Sequence, residues 1–189
     1  AETSPPSPAL LLARRLGDTP LAGPNPEREK MAILTCQRDA YRRSLIADVH
    51  EILAVDGGVE VVLEDTVMYP QGGGQPDDHG ALGGHPVLGL RKTAEGRVAH
   101  RLAAAPAQAS VEITVDWARR FDHMQQHTAQ HLISALAADR FDALTTAFHL
   151  RDGMCDIDLS RKLTQPEADA LQTAVNDEIR AARPVQHTL

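Results

Sequence analysis

The chain has 189 residues, 42% of them hydrophobic and 24% charged, a balance that suits one soluble globular domain or two small ones. Its net charge of −7 excludes a basic module that binds polyanions over its whole surface, and no apolar run approaches the ~20 residues of a membrane span. Two distant cysteines, Cys36 and Cys155, make no disulfide framework and fit a reducing, cytoplasmic setting.

Residues 1–30 are rich in Pro, Ala and Ser and carry four basic and four acidic side chains, the composition of a disordered leader rather than of an acid-poor transit peptide. Met31 marks the expected start of the folded part. From 31 to 110 the patterning is β. "LIADVHEILAV" and "VEVVLEDTVMY" flank "DGG", where glycine supplies the positive φ of a hairpin turn. "HPVLGLRK" and "GRVAHRLA" flank "TAEG" as a second hairpin, and "SVEITVDW" alternates Val111, Ile113, Val115 and Trp117 against polar neighbours. Short strands with Gly-rich turns predict a small β-barrel or a curled sheet.

After Trp117 the period changes. Phe121, Met124, Thr128, Leu132, Ala135 and Leu136 share one face at helical spacing, predicting a helix from Phe121 to about Asp139. "GMCDIDL" returns to strand alternation, with Cys155, Ile157 and Leu159 on one side. "LTQPEADALQTAVNDEIRAARP" reads as a second helix. Thr164 and Glu167 form a capping box, Pro166 lies in the first turn, and Leu171, Val175 and Ile179 make the expected buried stripe. The class is therefore α+β.

The first helix places His123, His127 and His131 at successive four-residue spacings. His127 and His131 project from one face, close enough for both rings to reach one zinc at about 2.0–2.1 Å. His123 and His131 lie about 12 Å apart along the axis, so one ion takes only an adjacent pair. The apolar stripe selects His127 and His131 and leaves His123 as a solvated bystander. The spacing alone is a weak signal, since structural histidines also produce it. A zinc protease needs Glu directly after the first His, and Thr128 stands there. Upstream, "EDTVMYPQGGGQPDDHG" sets Gly72, Gly73 and Gly74 where the backbone can approach another surface closely. It lacks the Gly-Lys-Ser/Thr of a phosphate loop. Taken alone it also reads as an elaborate β-turn with a solvated Asp77–Asp78 pair.

Taken in order, "DTVMYPQGGGQPDDHG", a strand ending "VDWARR" and "HMQQHTAQHLISAL" resemble the alanyl-tRNA synthetase editing domain and, more closely, its free-standing AlaX-type trans-editing relatives. The resemblance runs from about Met31 to the last residue and includes "CQRDAYRRS" and "LTQPEADALQTAVNDEIRAARPV". It implies a Gly-rich β-barrel domain over 31–110, followed over 111–189 by the N-terminal part of an α/β editing domain of the threonyl/alanyl-tRNA synthetase type. It implies hydrolysis of tRNA(Ala) mischarged with serine or glycine, assisted by zinc. His127 and His131 would be two of the zinc ligands. Thr66 and Gln75 would be the catalytic candidates that recognise the aminoacyl group, and Gly72, Gly73, Gly74, Arg119 and Arg120 would contact substrate. The family's other two ligands come from a Cys-x-x-x-His motif, and this chain contains none. Of the remaining candidates, Cys155 reads as a buried inert thiol, His187 lies next to the chain end, and nothing in the family pattern marks His149. The expectation is a truncated form of a longer protein.

The chemistry suits an ester, an already activated acyl group. A zinc with an open position lowers the pKa of bound water to about 7 and polarises the carbonyl, or else orients the substrate while a separate water attacks. A site built to hydrogen-bond the serine hydroxyl rejects alanine by leaving polar groups unpaired, and Thr66 is the candidate for that contact. Arg38, Arg42, Arg43, Arg91, Lys92, Arg119 and Arg120 are candidate tRNA cations or ordinary solvated surface. The competing reading is a non-catalytic domain that folds, binds tRNA weakly and lacks a competent zinc site.

Overall fold

In the computed structural model, which describes residues 33–151 and 153–185, the longest strand changes partner half-way along. This strand, β1 (Ser44–Val55), pairs first with β7 (Ser110–Val115), from Ser44↔Thr114 to Asp48↔Ser110. It then pairs with β2 (Gly58–Leu63), from Val49↔Leu63 to Val55↔Gly58. A bulge between Val49 and Glu51 marks the change. An extra residue there bends the strand and increases its twist, which curls the sheet. With β3 (Gly80–Leu82), β4 (His85–Pro86), β5 (Gly89–Lys92) and β6 (Val98–Leu102), the seven strands run in the order β4-β3-β7-β1-β2-β6-β5, every pair antiparallel. Of the two expected forms, a small barrel or a curled sheet, the curled sheet is found: β4 and β5 are its edges, so it is an open half-barrel. Pro86, with no N–H to donate, suits such an edge.

Both expected hairpins form, with smaller arms. Gly57 takes φ +72° in the first turn. The first hairpin's second arm ends at Leu63 rather than Tyr69, and His85–Pro86 pairs with β3 instead of joining the second hairpin. The core is aliphatic, as the low aromatic content requires: Val61, Leu63, Val67, Met68, Leu82, Leu102, Val111 and Ile113 cluster inside the curl. Each such side chain contributes about 1.5–3 kcal/mol by leaving water. A short helix, α1 (Thr35–Arg38), is tied to the sheet through Thr35, whose N–H and hydroxyl donate to Asp65 at 2.8 and 2.5 Å.

The chain divides into two compact units, 1–120 and 121–189. β7, assigned by sequence to the second segment, belongs to the first unit's sheet. The helix α2 (Trp117–Phe141) crosses the division and starts earlier than expected, so Trp117 opens a helix rather than closing a strand. Asp116 caps it, accepting the Arg119 N–H on its carboxylate at 3.2 Å and the Arg120 N–H on its carbonyl at 3.0 Å.

In the second unit, β8 (Thr145–Arg151) and β9 (Met154–Leu159) form an antiparallel hairpin. Sequence patterning had identified only β9. α3 (Gln165–Arg180) has the expected capping box: Glu167 accepts the Thr164 N–H at 2.8 Å. Arg161, Thr164 and that bond hold the Glu167 carboxyl down to about 2. Leu171 and Val175 join Ala137 and Ala143 in the unit's core. Ile179 does not follow the stripe; it is 58% exposed, because the last turn of α3 runs past the core. The leader, Met31 and His187 lie outside the described residues.

Candidate functional site

The Gly-rich loop is closed at both ends. At its base the Asp78 N–H donates to the Tyr69 carbonyl at 3.0 Å, and the Tyr69 N–H donates to the Asp78 carboxylate at 2.5 Å. At its tip Gly72 and Gln75 exchange two backbone bonds of 3.0 Å each. Gly73 and Gly74 between them take φ +60° and +81°, as the two central residues of a type I′ turn do. Gly73 and Gly74 thus supply the positive φ that this turn requires. A Cβ added at Gly73 would meet nothing within 4 Å, whereas one at Gly80 would sit 2.0 Å from the Thr114 carbonyl oxygen. Gln75 is buried beside the turn.

Asp78 is not solvated. It is buried in an ion pair with Arg120, whose Nε–H reaches the carboxylate at 2.7 Å. The same guanidinium donates to the carbonyls of Ala40 at 2.9 Å and Val67 at 2.7 Å. Arg120, a candidate tRNA cation in the sequence, is 2% exposed and instead fastens the Gly-rich loop to the first turn of α2. Arg119 is half-buried. Arg91 is exposed but paired with Glu60 at 2.5 Å.

Thr66 sits in a hydrogen-bonded chain. His100 Nδ1 lies 3.0 Å from the Val61 carbonyl, which can only accept, so Nδ1 carries the proton. Nε2 then accepts from the Thr66 hydroxyl at 2.9 Å, and Thr66 Oγ1 accepts the Met68 N–H at 3.1 Å. Burial pushes the His100 pKa down to about 4, which keeps the ring neutral. Both residues are enclosed, His100 at 0% and Thr66 at 1% exposed. His100 escaped sequence reading, although its place between Val98 and Leu102 on the inward register of β6 was a usable signal. Nearby Cys36 is buried, and burial raises its thiol to about 11, an inert form.

On α2 the buried residues are Arg120, His123, Gln130 and Ala137, while Phe121 is 37% exposed. This corrects the placement of His123, which is 1% exposed rather than solvated. The polar character of the buried stripe is the reason: hydrophobic periodicity selected the adjacent face. The polar run continues as Gln130 donates to Ser134 Oγ at 2.8 Å and Ser134 bonds the Thr145 hydroxyl at 2.6 Å.

His127 and His131 stand side by side, ring centroids 4.8 Å apart at 22°, with Phe148 of β8 stacked 5.7 Å from His127. His127 is half-buried and His131 exposed. Burial first, and then the neighbouring His131, lower the His127 pKa. That favours the neutral imidazole, the form that binds a metal. The pair therefore fits as two ligands. Among the described residues, however, no group of three or more His, Cys, Asp or Glu is placed to hold a metal ion. His149 is exposed on β8, 4.0 Å from Asp158. Cys155 is half-buried, its thiol raised by burial and by Asp156.

A curled antiparallel sheet, a pinned Gly-rich loop and a following His-x-x-x-His helix agree with the class that the motifs implied, the alanyl-tRNA editing proteins. Comparison with known proteins finds the same resemblance. The chain is 42% identical over 163 residues to alanyl-tRNA editing protein Aarsd1 of Danio rerio, covering 79% of the chain and 40% of the relative. It is 42% identical over 171 residues to Aarsd1 of Rattus norvegicus, covering 82% and 41%. It is 30% identical over 155 residues to alanyl-tRNA editing protein AlaX-L of Pyrococcus horikoshii, covering 78% and 38%. No protein-family model matches the chain. The chain spans about two fifths of the length of these relatives.

Proposed function

We propose that the chain is a trans-editing hydrolase that deacylates tRNA(Ala) mischarged with serine, and secondarily with glycine, by zinc-assisted ester hydrolysis in the cytoplasm. The observation that carries this reading is the stacked His127–His131 pair, with His127 biased to its neutral form, in a chain whose relatives are named for alanyl-tRNA editing. His127 and His131 would hold the zinc. Bound there, it would supply Lewis-acid polarisation of the ester and a more acidic water.

The chain's own residues shape what is bound. Thr66 Oγ1 donates to His100 and accepts from Met68, which leaves one acceptor position, and a serine hydroxyl suits it. Alanine has no hydroxyl to offer that acceptor, which is the basis proposed for rejecting it. Because Thr66 is enclosed, a substrate must displace its neighbours to reach it. Gln75 and the Gly72–Gly74 turn would border the aminoacyl group, and Arg119 would meet tRNA phosphate. Arg120 would act at one remove by fixing the loop.

A second reading, a non-catalytic domain without a competent zinc site, is favoured by one observation: the described residues supply no third metal ligand beside the pair. Deacylation of Ser-tRNA(Ala), Gly-tRNA(Ala) and Ala-tRNA(Ala) with added zinc tests the editing reading. Serine should be removed fastest and correctly charged tRNA spared. Equal hydrolysis of the seryl and alanyl esters would sink the proposed selectivity, and buffer rates for all three would favour the second reading.

A further inference from the structure

Tyr41 is 64% exposed in a chain with only six aromatic residues besides histidine, yet the segment that carries it is firmly held. Its N–H donates to the Asp39 carboxylate at 3.0 Å, and the next N–H, of Arg42, donates to the Asp39 carbonyl at 3.2 Å. The Ala40 carbonyl accepts from buried Arg120 at 2.9 Å, and the Arg43 carbonyl accepts the Val115 N–H at 2.9 Å. The Tyr41 ring leans on Trp117 with centroids 5.8 Å apart, and the Arg43 guanidinium lies 4.2 Å over the same indole. Arg42 is held outward by its bond to the Ser44 carbonyl at 2.9 Å. Arginines elsewhere on the surface, such as Arg38, Arg91 and Arg161, sit in ion pairs. Among the described residues Arg42 and Arg43 have no carboxylate partner. Asp39 and Asp116, on the same segment and at the start of α2, are turned to backbone N–H groups of Tyr41 and Arg119.

We propose that Tyr41, Arg42, Arg43 and Trp117 form a docking platform for single-stranded RNA, with the Tyr41 ring as the surface on which a base stacks. A fixed, exposed aromatic offers a stacking face to any base at little ordering cost, and unpaired arginines beside it attract the adjoining phosphates. Within a duplex each base is stacked on both faces and only the two ends stay open, so the platform favours an unpaired strand. RNA as the ligand rests on the editing reading, since an aminoacyl ester is carried on the unpaired 3′ end of a tRNA.

The test is fluorescence anisotropy of a labelled 12-nucleotide single-stranded RNA and of the matching blunt duplex. Quenching of Trp117, the chain's sole tryptophan, locates the contact. Wild type should bind the single strand more tightly than the duplex and show quenching. Tyr41→Ala should weaken single-strand binding roughly tenfold, while Tyr41→Phe, which keeps the stacking face, should bind as wild type. Arg42→Gln and Arg43→Gln should each lower the slope of log K against log salt by about 0.7. No RNA binding by wild type, or unchanged binding by both Tyr41→Ala and Arg43→Gln, would overturn the platform, the latter result leaving the surface to a protein partner. The assay needs neither ester nor zinc. Lost deacylation with Tyr41-dependent RNA binding would therefore refute only the editing reading, and deacylation with Tyr41-independent binding only the platform.

Discussion

At His100 burial and one backbone carbonyl fix a protonation state, and the consequence is measurable. The folded ring resists protonation down to about pH 4, whereas an unfolded histidine accepts a proton near 6.5. Between those values the unfolded chain binds the extra proton. The stabilising contribution is therefore complete above pH 6.5 and is lost as pH falls toward 4, by about 3 kcal/mol in total. Urea unfolding from pH 7 to 4.5 should show wild type losing stability more steeply than His100→Asn; parallel curves would contradict the neutral, enclosed ring. Arg120 makes a second residue-scale prediction. Removing one partner of its buried pair leaves Asp78 uncompensated, so Arg120→Ala should cost about 3–5 kcal/mol. Arg120→Lys should recover little, because a single ammonium cannot reach Asp78, Ala40 and Val67 together. A loss below 1 kcal/mol on chemical denaturation would show the pair to be incidental. Arg120 and Asp78 looked like surface charges in the sequence because their pairing spans the chain from loop to helix, and no local pattern marks such a bond.

Elements were legible where local chemistry decides them. The Asp56–Gly57 turn, the alternation of Val111 and Ile113, and the Thr164–Glu167 box each announce themselves within a few residues. α2 was found with its histidines, and Leu132 and Leu136 of its expected stripe do pack on the second unit's core, but the buried polar residues Arg120, His123 and Gln130 carry no hydrophobic signal and were not foreseen. β8 was missed because its alternation is short and breaks between Ala147 and Phe148, and its pairing with β9 is what defines it. Two substitutions probe the elements. Gly73→Val forces a β-branched residue to φ +60° and should cost about 1–3 kcal/mol through strain alone, since nothing crowds the position. Thr164→Ala should cost about 1 kcal/mol by uncapping α3. Thermal unfolding that left either variant unchanged would argue against the turn or the cap.

For the molecule as a whole, the order of parts was readable and their extent was not. The Gly-rich segment, the closing strand and the histidine helix follow one another as the resemblance implies. Strand β7 nevertheless joins the first unit's sheet, which takes the curled rather than the barrel form of the two expected. No helix among the described residues is long and apolar enough to cross a membrane. Function at this scale turns on whether His127 and His131 are working ligands. Zinc-dependent deacylation of Ser-tRNA(Ala) by this chain, measured beside His127→Ala, answers that. Zinc should raise the wild-type rate above buffer, and His127→Ala should fall back to it. A wild-type rate equal to buffer, or one that His127→Ala leaves intact, would contradict the assignment of this pair to zinc-assisted editing.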